Sequence, residues 1–125
     1  MIALDTSSLI AYFSSEKGKD VEAVELAFEQ RQVVLPPIVL SELLSDPKVS
    51  DKVKEIFMEI PLLEISEGYW GRVGLSRSKV LAKGIKAKLA DTLIAQSCID
   101  HEVPLITRDS DFRYFVKLGL ELVVF

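Results

Sequence analysis

The sequence predicts an α/β protein, a three-layer α/β/α sandwich around a central, mostly parallel sheet of four to five strands. Short apolar runs typical of buried strands alternate along the chain with longer segments whose apolar residues recur at helical spacing. Strands joined through helices pair in parallel and are covered on both faces. The 125 residues, 49% of them hydrophobic, suit one domain over residues 1–125.

The individual elements follow from these patterns. Apolar runs that stop at polar residues or prolines predict strands at residues 2–4, 33–35, 62–65, 104–107 and 120–125. Apolar residues every three to four positions predict helices that begin near residue 7 and span 18–30, 38–44, 49–58, 66–80, 85–101 and 110–117. Pro37 suits the first turn of the third helix, because a proline there loses no intrahelical hydrogen bond.

Composition narrows the class of protein. The longest apolar stretch, residues 33–44, contains prolines and a glutamate and is shorter than the roughly 18 residues of a membrane span. The first residues lack the basic and apolar regions of a signal peptide. A single cysteine, Cys98, forms neither an internal disulfide nor a thiolate metal cage. We therefore expect a cytoplasmic protein without a membrane segment.

The net charge of −4 argues against a nucleic-acid partner, but the charges are unevenly distributed. Residues 68–90 contain six basic and no acidic residues, whereas both flanking segments are acidic. The six are Arg72, Arg77, Lys79, Lys83, Lys86 and Lys88. A solvated helix face and a surface that contacts a polyanion both account for this segment.

Two acidic residues directly follow predicted strands. Asp5 ends the first apolar run, and Asp109 comes after the strand at residues 104–107. In open parallel sheets the ligand crevice lies at the carboxyl ends of the strands, which is where both residues are expected. Capping of the next helix is the alternative role for each, and Asp111 competes with Asp109 for any functional role. The Thr107 hydroxyl is suitably placed to hold one of these carboxylates.

Two further acidic residues interrupt apolar helical faces. Glu42 is expected on the apolar side of its helix, one turn from Ile38 and Val39. Asp91 shares a helical face with Ile94, Ala95 and other apolar residues. A buried carboxylate needs a partner, so both positions call for an explanation. The structural alternatives are a salt bridge for Glu42 and a first-turn position in its helix for Asp91.

Convergence of the four acids in one pocket explains all of them together. Clustered carboxylates raise one another's pKa unless a cation neutralises them. A set of oxygen ligands without a His or Cys cluster favours Mg²⁺ or Mn²⁺ over zinc. Such ions suit phosphate chemistry, because they activate water and stabilise the leaving oxygen.

These residues resemble the four acidic motifs of PIN domains, in order and along the whole chain. The similarity is greatest to the small VapC-type toxin ribonucleases. The matching segments are Asp5-Thr6-Ser7-Ser8, Ser41-Glu42-Leu43, Asp91-Thr92-Leu93-Ile94 and Thr107-Arg108-Asp109-Ser110-Asp111-Phe112. The first motif reads Asp-Thr-Ser where many relatives have Asp-Thr-Asn or Asp-Ala-Ser, a variation that leaves the acidic residue in place.

The resemblance implies a Rossmann-like fold and a metal-dependent endoribonuclease that leaves a 5′-phosphate and a 3′-hydroxyl. Carried over residue by residue, it implies that one or two Mg²⁺ or Mn²⁺ ions are bound by a catalytic set of four acids, Asp5, Glu42, Asp91 and Asp109. It also implies that Ser7 and Thr107 are supporting hydroxyls and that Asp111 is an auxiliary ligand. The implied partners are RNA, a second copy of the chain in a homodimer, and a small antitoxin.

Other functions remain as alternatives. PIN domains also act in RNA processing outside toxin systems, and a PIN-like module without activity would serve as an RNA-binding or protein-binding scaffold. A phosphoaspartyl enzyme of the haloacid-dehalogenase type is disfavoured, because that chemistry needs a second Asp at position 7, which is serine. A receiver domain is disfavoured because it needs an acidic pair near its start and a phosphoacceptor after a central strand, neither of which is evident.

The basic segment leads directly into Asp91 and is therefore a candidate RNA-binding surface. The candidate contacts are Arg77, Lys79, Lys83, Lys86, Lys88 and, beside Asp109, Arg108.

We predict that Lys86→Glu combined with Lys88→Glu weakens RNA binding and flattens its dependence on salt, because fewer phosphate contacts release fewer counterions. Metal binding should be spared. A salt titration of RNA affinity measures the effect, and a variant that binds RNA as the wild type does at every salt concentration would contradict the prediction.

Overall fold

The computed structural model describes residues 1–125 and confirms the α/β class. Its strands are β1 (Ile2–Leu4), β2 (Val33–Val34) and β3 (Leu105–Ile106). Its α-helices are α1 (Thr6–Phe13), α2 (Lys19–Glu29), α3 (Pro37–Ser45), α4 (Asp51–Glu59), α5 (Tyr69–Ala82) and α6 (Leu89–His101). A 3-10 helix spans Ser110–Leu118 after β3. None of these helices combines the length and the apolar character that a membrane crossing requires.

The sheet has the order β2-β1-β3 with all strands parallel. Ala3 of β1 is in register with Val34 on one side and with Leu105 on the other. The chain leaves β1 in one direction to reach β2 and returns in the other direction to reach β3. Because such crossovers are almost always right-handed, the two connections place their helices on opposite faces of the sheet. The carboxyl ends of β1 and β3 therefore flank the point where the chain reverses direction, which is the usual ligand crevice of an open α/β sheet.

The prediction of four to five strands is wrong, because two of the expected strands form only single bridges. Leu62 pairs with Leu35 beyond β2, and Leu122 pairs with Leu105 beyond β3. Pro36 and Pro37 follow Leu35 and have no N–H groups with which to continue the pairing. At the opposite edge Val124 is 89% exposed, so extending that strand would bury little apolar surface.

The helix predicted over residues 85–101 begins only at Leu89. The four preceding residues alternate in burial: Ile85 and Ala87 pack into the core region, while Lys86 and Lys88 are exposed. This period of two is the mark of extended chain rather than of a helix. The two lysines therefore lie on a loop between α5 and α6.

The α5–α6 contact contains a chain of polar side chains. The Arg72 guanidinium donates two hydrogen bonds to Asp100, at 3.0 Å to Oδ1 and 2.7 Å to Oδ2. The Gln96 amide donates to Asp100 Oδ1 at 2.8 Å, and Ser76 donates to Gln96 Oε1 at 2.6 Å. Burial raises the pKa of Asp100, but the hydrogen bonds from Arg72 and Gln96 outweigh it and leave the pKa below its usual range.

We predict that Arg72→Met lowers the free energy of unfolding at pH 7, because it leaves the Asp100 carboxylate without its cation. The folded pKa of Asp100 lies below its unfolded value, so this contribution is present above about pH 4 and is lost as the pH falls through the folded pKa. Urea denaturation at pH 7 and at pH 3 measures both effects.

Lys79→Met, an exposed charge removal on the same helix, serves as the control and should change stability little. An Arg72→Met defect of equal size at both pH values would contradict the assigned role of Asp100.

Candidate active site

Asp5 lies at the carboxyl end of β1 and is only 4% exposed. Its Oδ1 accepts a hydrogen bond from the Ser8 amide at 3.0 Å, and the Ser8 hydroxyl lies 3.0 Å from the same oxygen. The Ser7 hydroxyl donates to the carboxylate at 2.8 Å, and the Thr107 hydroxyl donates to Oδ2 at 2.5 Å. Ser7, Ser8 and Thr107 thus all contact Asp5 through their hydroxyl groups. We call Ser7, Ser8 and Thr107 the hydroxyl cradle.

Sequence reasoning missed Ser8, although a signal was present. A residue three positions after a helix-capping Asp contributes the amide that the cap accepts. In this chain the Ser8 hydroxyl adds a link to the next strand, 3.1 Å from the Ile106 carbonyl oxygen. The burial of Ser8, at 1% exposure, follows from that contact.

Asp109 is joined to Asp5 through Thr107. The Thr107 hydroxyl oxygen accepts a hydrogen bond from the Asp109 amide at 3.0 Å while it donates to Asp5. Asp109 Oδ1 accepts from the Asp111 amide at 2.9 Å and so caps the 3-10 helix. The capping role is therefore present for Asp109 as it is for Asp5, and it uses one of the two carboxylate oxygens.

Asp91, Asp109 and Asp111 form a compact acidic group. One carboxylate oxygen from each lies within 4.8 Å of the others. Asp91 comes from the first turn of α6, and the other two come from the start of the 3-10 helix. Asp111 was expected only as an auxiliary residue, yet it belongs to this compact group, whereas Asp5 and Glu42 do not.

The electrostatics of Asp91 connect the wider set of acids. Its pKa is raised to about 6, first by burial and then by the Asp109 carboxylate, with further contributions from Asp111 and Glu42. The nearby Lys88 ammonium acts in the opposite direction. Asp91 is therefore close enough to Glu42, Asp109 and Asp111 to be repelled by each of them. A bound cation would relieve that repulsion.

Glu42 does not face the apolar side of its helix, and that expectation is wrong. The buried residues of α3 are Val39 and Leu43, and Glu42 lies at the margin of this face, exposed to solvent. It forms no salt bridge; instead its Oε1 accepts a hydrogen bond from the Thr6 hydroxyl at 2.9 Å. Thr6 follows Asp5 in the chain, so Glu42 is held next to the end of β1.

The donor set fits a hard divalent cation. The side chains near Asp91 offer carboxylate oxygens, and no His or Cys side chain belongs to the compact acidic group. Oxygen ligands of this kind suit Mg²⁺ and Mn²⁺. Burial raises the pKa of Asp91 most, and the Asp109 carboxylate raises it further; a cation bound beside these groups would oppose both effects.

The six basic residues of segment 68–90 divide into two groups. Arg72 is bound to Asp100, and Arg77 donates to the Ala87 carbonyl oxygen at 2.9 Å, so both help to pack α5. The lysine side chains are exposed, and they are Lys79, Lys83, Lys86 and Lys88. Lys88 also lowers the pKa of Asp91, so its replacement changes the electrostatics of the acidic group. We therefore expect Lys86→Glu alone, and not the double substitution, to leave metal binding unchanged.

The raised pKa of Asp91 predicts a pH effect on the protein without metal. A folded pKa above the unfolded one contributes stability that is full below about pH 4 and is lost as the pH rises through 6. In EDTA, the free energy of unfolding of the wild type should therefore fall by about 1 kcal/mol relative to Asp91→Asn between pH 5 and pH 7.5.

Urea denaturation at the two pH values measures this difference. Asp51→Asn, an exposed carboxylate at the start of α4, is the matched control and should change with pH as the wild type does. A difference between wild type and Asp91→Asn that is independent of pH would refute the electrostatic interpretation.

Comparison with known structures finds proteins of similar fold. The crystal structure of VapBC2 from Rickettsia felis bound to a promoter DNA fragment is similar, with 23% identity, 98% of each chain covered and a TM-score of 0.75. FitAcB from Neisseria gonorrhoeae is 22% identical, with 99% of this chain and 97% of that chain covered and a TM-score of 0.72. VapBC-5 from Mycobacterium tuberculosis, a member of a family of toxin-antitoxin systems, is 17% identical, with 99% of this chain and 98% of that chain covered and a TM-score of 0.65. No curated protein sequence matches the chain significantly. The PIN domain family model matches residues 2–118, and the chain belongs to the PIN domain family.

Proposed function

We propose that the chain is a divalent-cation-dependent endoribonuclease and the toxin of a toxin-antitoxin pair. The observation that carries the proposal is the compact group of Asp91, Asp109 and Asp111, whose oxygens lie within 4.8 Å of one another. Members of the PIN family are generally nucleases, and this group lies at the crevice end of the sheet in a chain of that family. The similar VapBC structures favour the toxin role.

In this proposal Asp91, Asp109 and Asp111 hold Mg²⁺ or Mn²⁺, and Asp5 and Glu42 complete the acidic site. When bound, the ion would supply Lewis-acid activation and charge stabilisation for hydrolysis of an RNA phosphodiester. Asp5, through its contacts with Thr107, holds the ends of β1 and β3 at a fixed separation. The product would carry a 5′-phosphate, and the leaving strand would carry a 3′-hydroxyl.

The RNA is proposed to lie along the loop between α5 and α6. Lys83, Lys86 and Lys88 project from the segment that leads into Asp91, and all three are exposed. Phosphate contacts from such side chains position the strand without reading its sequence. The acidic overall charge is compatible with this, because the lysines form a local basic surface beside a site whose acids a cation would offset.

An antitoxin is proposed to bind beside Glu42. A cavity of about 300 Å³ opens there between α1, α3 and α4. Its apolar lining includes Ile10, Phe13, Leu43, Val53 and Phe57. A partner segment that placed apolar side chains in this cavity would also cover Glu42 and hence block the route to the carboxylates.

A homodimer is proposed through the outer face of α5. Trp70 and Leu81 are 65% and 43% exposed and, eleven positions apart, lie on one face of this helix. Exposed large apolar side chains on one helix are typical of a face that another protein covers. A second copy of the chain would remove them from water.

Cleavage of a structured RNA tests the nuclease proposal. The wild type should cut the RNA with Mn²⁺ and not with EDTA, and Asp5→Asn and Asp91→Asn should reduce the rate by about 100-fold. Mass spectrometry of the fragments should find 5′-phosphates. The matched control is Asp51→Asn, which removes an exposed carboxylate outside the site and should cut as the wild type does.

Thermal unfolding of each variant shows whether it is folded, which matters most for the buried Asp5. Equal cleavage by wild type and Asp91→Asn would contradict the proposal. Binding of RNA without cleavage would favour a scaffold.

Induced expression in bacteria tests the toxin role. Expression of the wild type should arrest growth, and expression of Asp91→Asn should not. Cleavage in vitro without growth arrest would favour an RNA-processing nuclease.

A further inference from the structure

Arg108 stands between two residues of the site, yet its side chain points away from the carboxylates. Its Nε donates to Asp20 Oδ2 at 2.6 Å and its Nη2 donates to Asp20 Oδ1 at 3.2 Å. Its Nη1 donates to Glu16 Oε1 at 3.2 Å, and Nη2 also reaches the Lys17 carbonyl oxygen at 3.2 Å. Two acids and a carbonyl thus neutralise and hold the guanidinium. This arrangement does not fit the expectation that Arg108 binds RNA.

The loop that receives Arg108 is shaped for it. Gly18, immediately before α2, has φ +150°, in the region that favours glycine. A Cβ at this position would lie 2.5 Å from Asp20 Oδ1 and 3.4 Å from Arg108 Nη2. Any other residue at position 18 would therefore displace the Asp20 carboxylate and would be strained at this φ.

The backbone of Arg108 is tied to the site at the same time. Its amide donates to the Ser7 hydroxyl at 3.0 Å, and Ser7 in turn donates to Asp5. The residue before it, Thr107, donates to Asp5, and the residue after it, Asp109, belongs to the compact acidic group. The side chain of Arg108 is thus anchored on the α1–α2 loop and on Asp20 in the first turn of α2, and its backbone lies between two residues of the site.

We propose that Arg108 is a positioning residue, whose clamp on Glu16 and Asp20 holds residues 107–109 in the path that brings Asp109 against Asp91 and Asp111. The inference rests on the proposed function, because it concerns the same cation site. It assigns the α1–α2 loop, residues 14–18, and the first turn of α2 a part in the geometry of that site, although neither contributes a ligand.

Calorimetric titration of the protein with Mn²⁺, without RNA, tests the clamp. Arg108→Met should raise the dissociation constant about tenfold, and Arg108→Lys should recover part of the loss because it keeps the charge without the two-pronged contact. Asp20→Asn should weaken Mn²⁺ binding in the same direction. The double variant should be no worse than Arg108→Met alone, because both changes break one interaction. Lys19→Met, the loss of an exposed charge beside Asp20, should bind Mn²⁺ as the wild type does.

RNA binding in EDTA distinguishes the clamp from a direct RNA contact. The clamp predicts that Arg108→Met leaves the salt dependence of RNA affinity unchanged and that Asp20→Asn does not tighten binding. If Arg108 contacted an RNA phosphate, Arg108→Met would reduce the slope of log affinity against log salt concentration by about one. Such a contact would also tighten RNA binding in Asp20→Asn, where the guanidinium is released. Either of these results overturns the clamp.

The outcomes for the clamp and for the proposed function are separable. Wild-type protein that neither binds Mn²⁺ nor cuts RNA overturns both. Wild-type protein that does both, together with Arg108→Met of the same Mn²⁺ affinity, overturns the clamp alone. A lower unfolding temperature of Arg108→Met with unchanged Mn²⁺ affinity shows that the ion pair only stabilises the fold, and this also overturns the clamp.

Discussion

The buried Asp5 carboxylate is the interaction on which the arrangement of the site depends. A carboxylate this far from water must be satisfied by donors, since an unpaired buried polar group costs several kcal/mol. The hydroxyl cradle and the Ser8 amide supply those donors from two places, the first turn of α1 and the end of β3. The requirement therefore sets β3 beside β1, and the crossovers on either side of the sheet follow from that neighbour relation.

Capping and site formation are carried out by the same residues. Asp5 accepts the Ser8 amide and so begins α1, while Asp109 accepts the Asp111 amide and so begins the 3-10 helix. Each helix start aims backbone N–H groups at the crevice, and an acid there is favoured by the helix dipole. For Asp109 the two roles that the sequence leaves open are thus compatible, because the cap uses only one of its two oxygens. In Asp5 the second oxygen accepts the Thr107 hydroxyl.

Local patterns in the sequence predict the α/β class and the order of the acids well, because strand ends, caps and apolar spacing are short-range properties. Predictions fail where a distant partner decides. Glu42 is exposed because Leu43, the next residue, is the one that packs into the core. The pairing of Leu62 with Leu35 is limited to a single bridge because Pro36 follows Leu35. Arg108 pairs with Asp20, 88 residues away, and no local pattern indicates that choice of partner.

The contact between Thr107 and Asp5 spans 102 residues and has a consequence for synthesis. A chain is made from its N-terminus at roughly 5–20 residues per second, so β1 emerges from the ribosome seconds before β3 exists. Until residue 109 is free, β1 lacks its neighbour on one side and the acidic group lacks two of its three members. Nascent chains that still lack residues 107–111 are therefore unable to assemble the site.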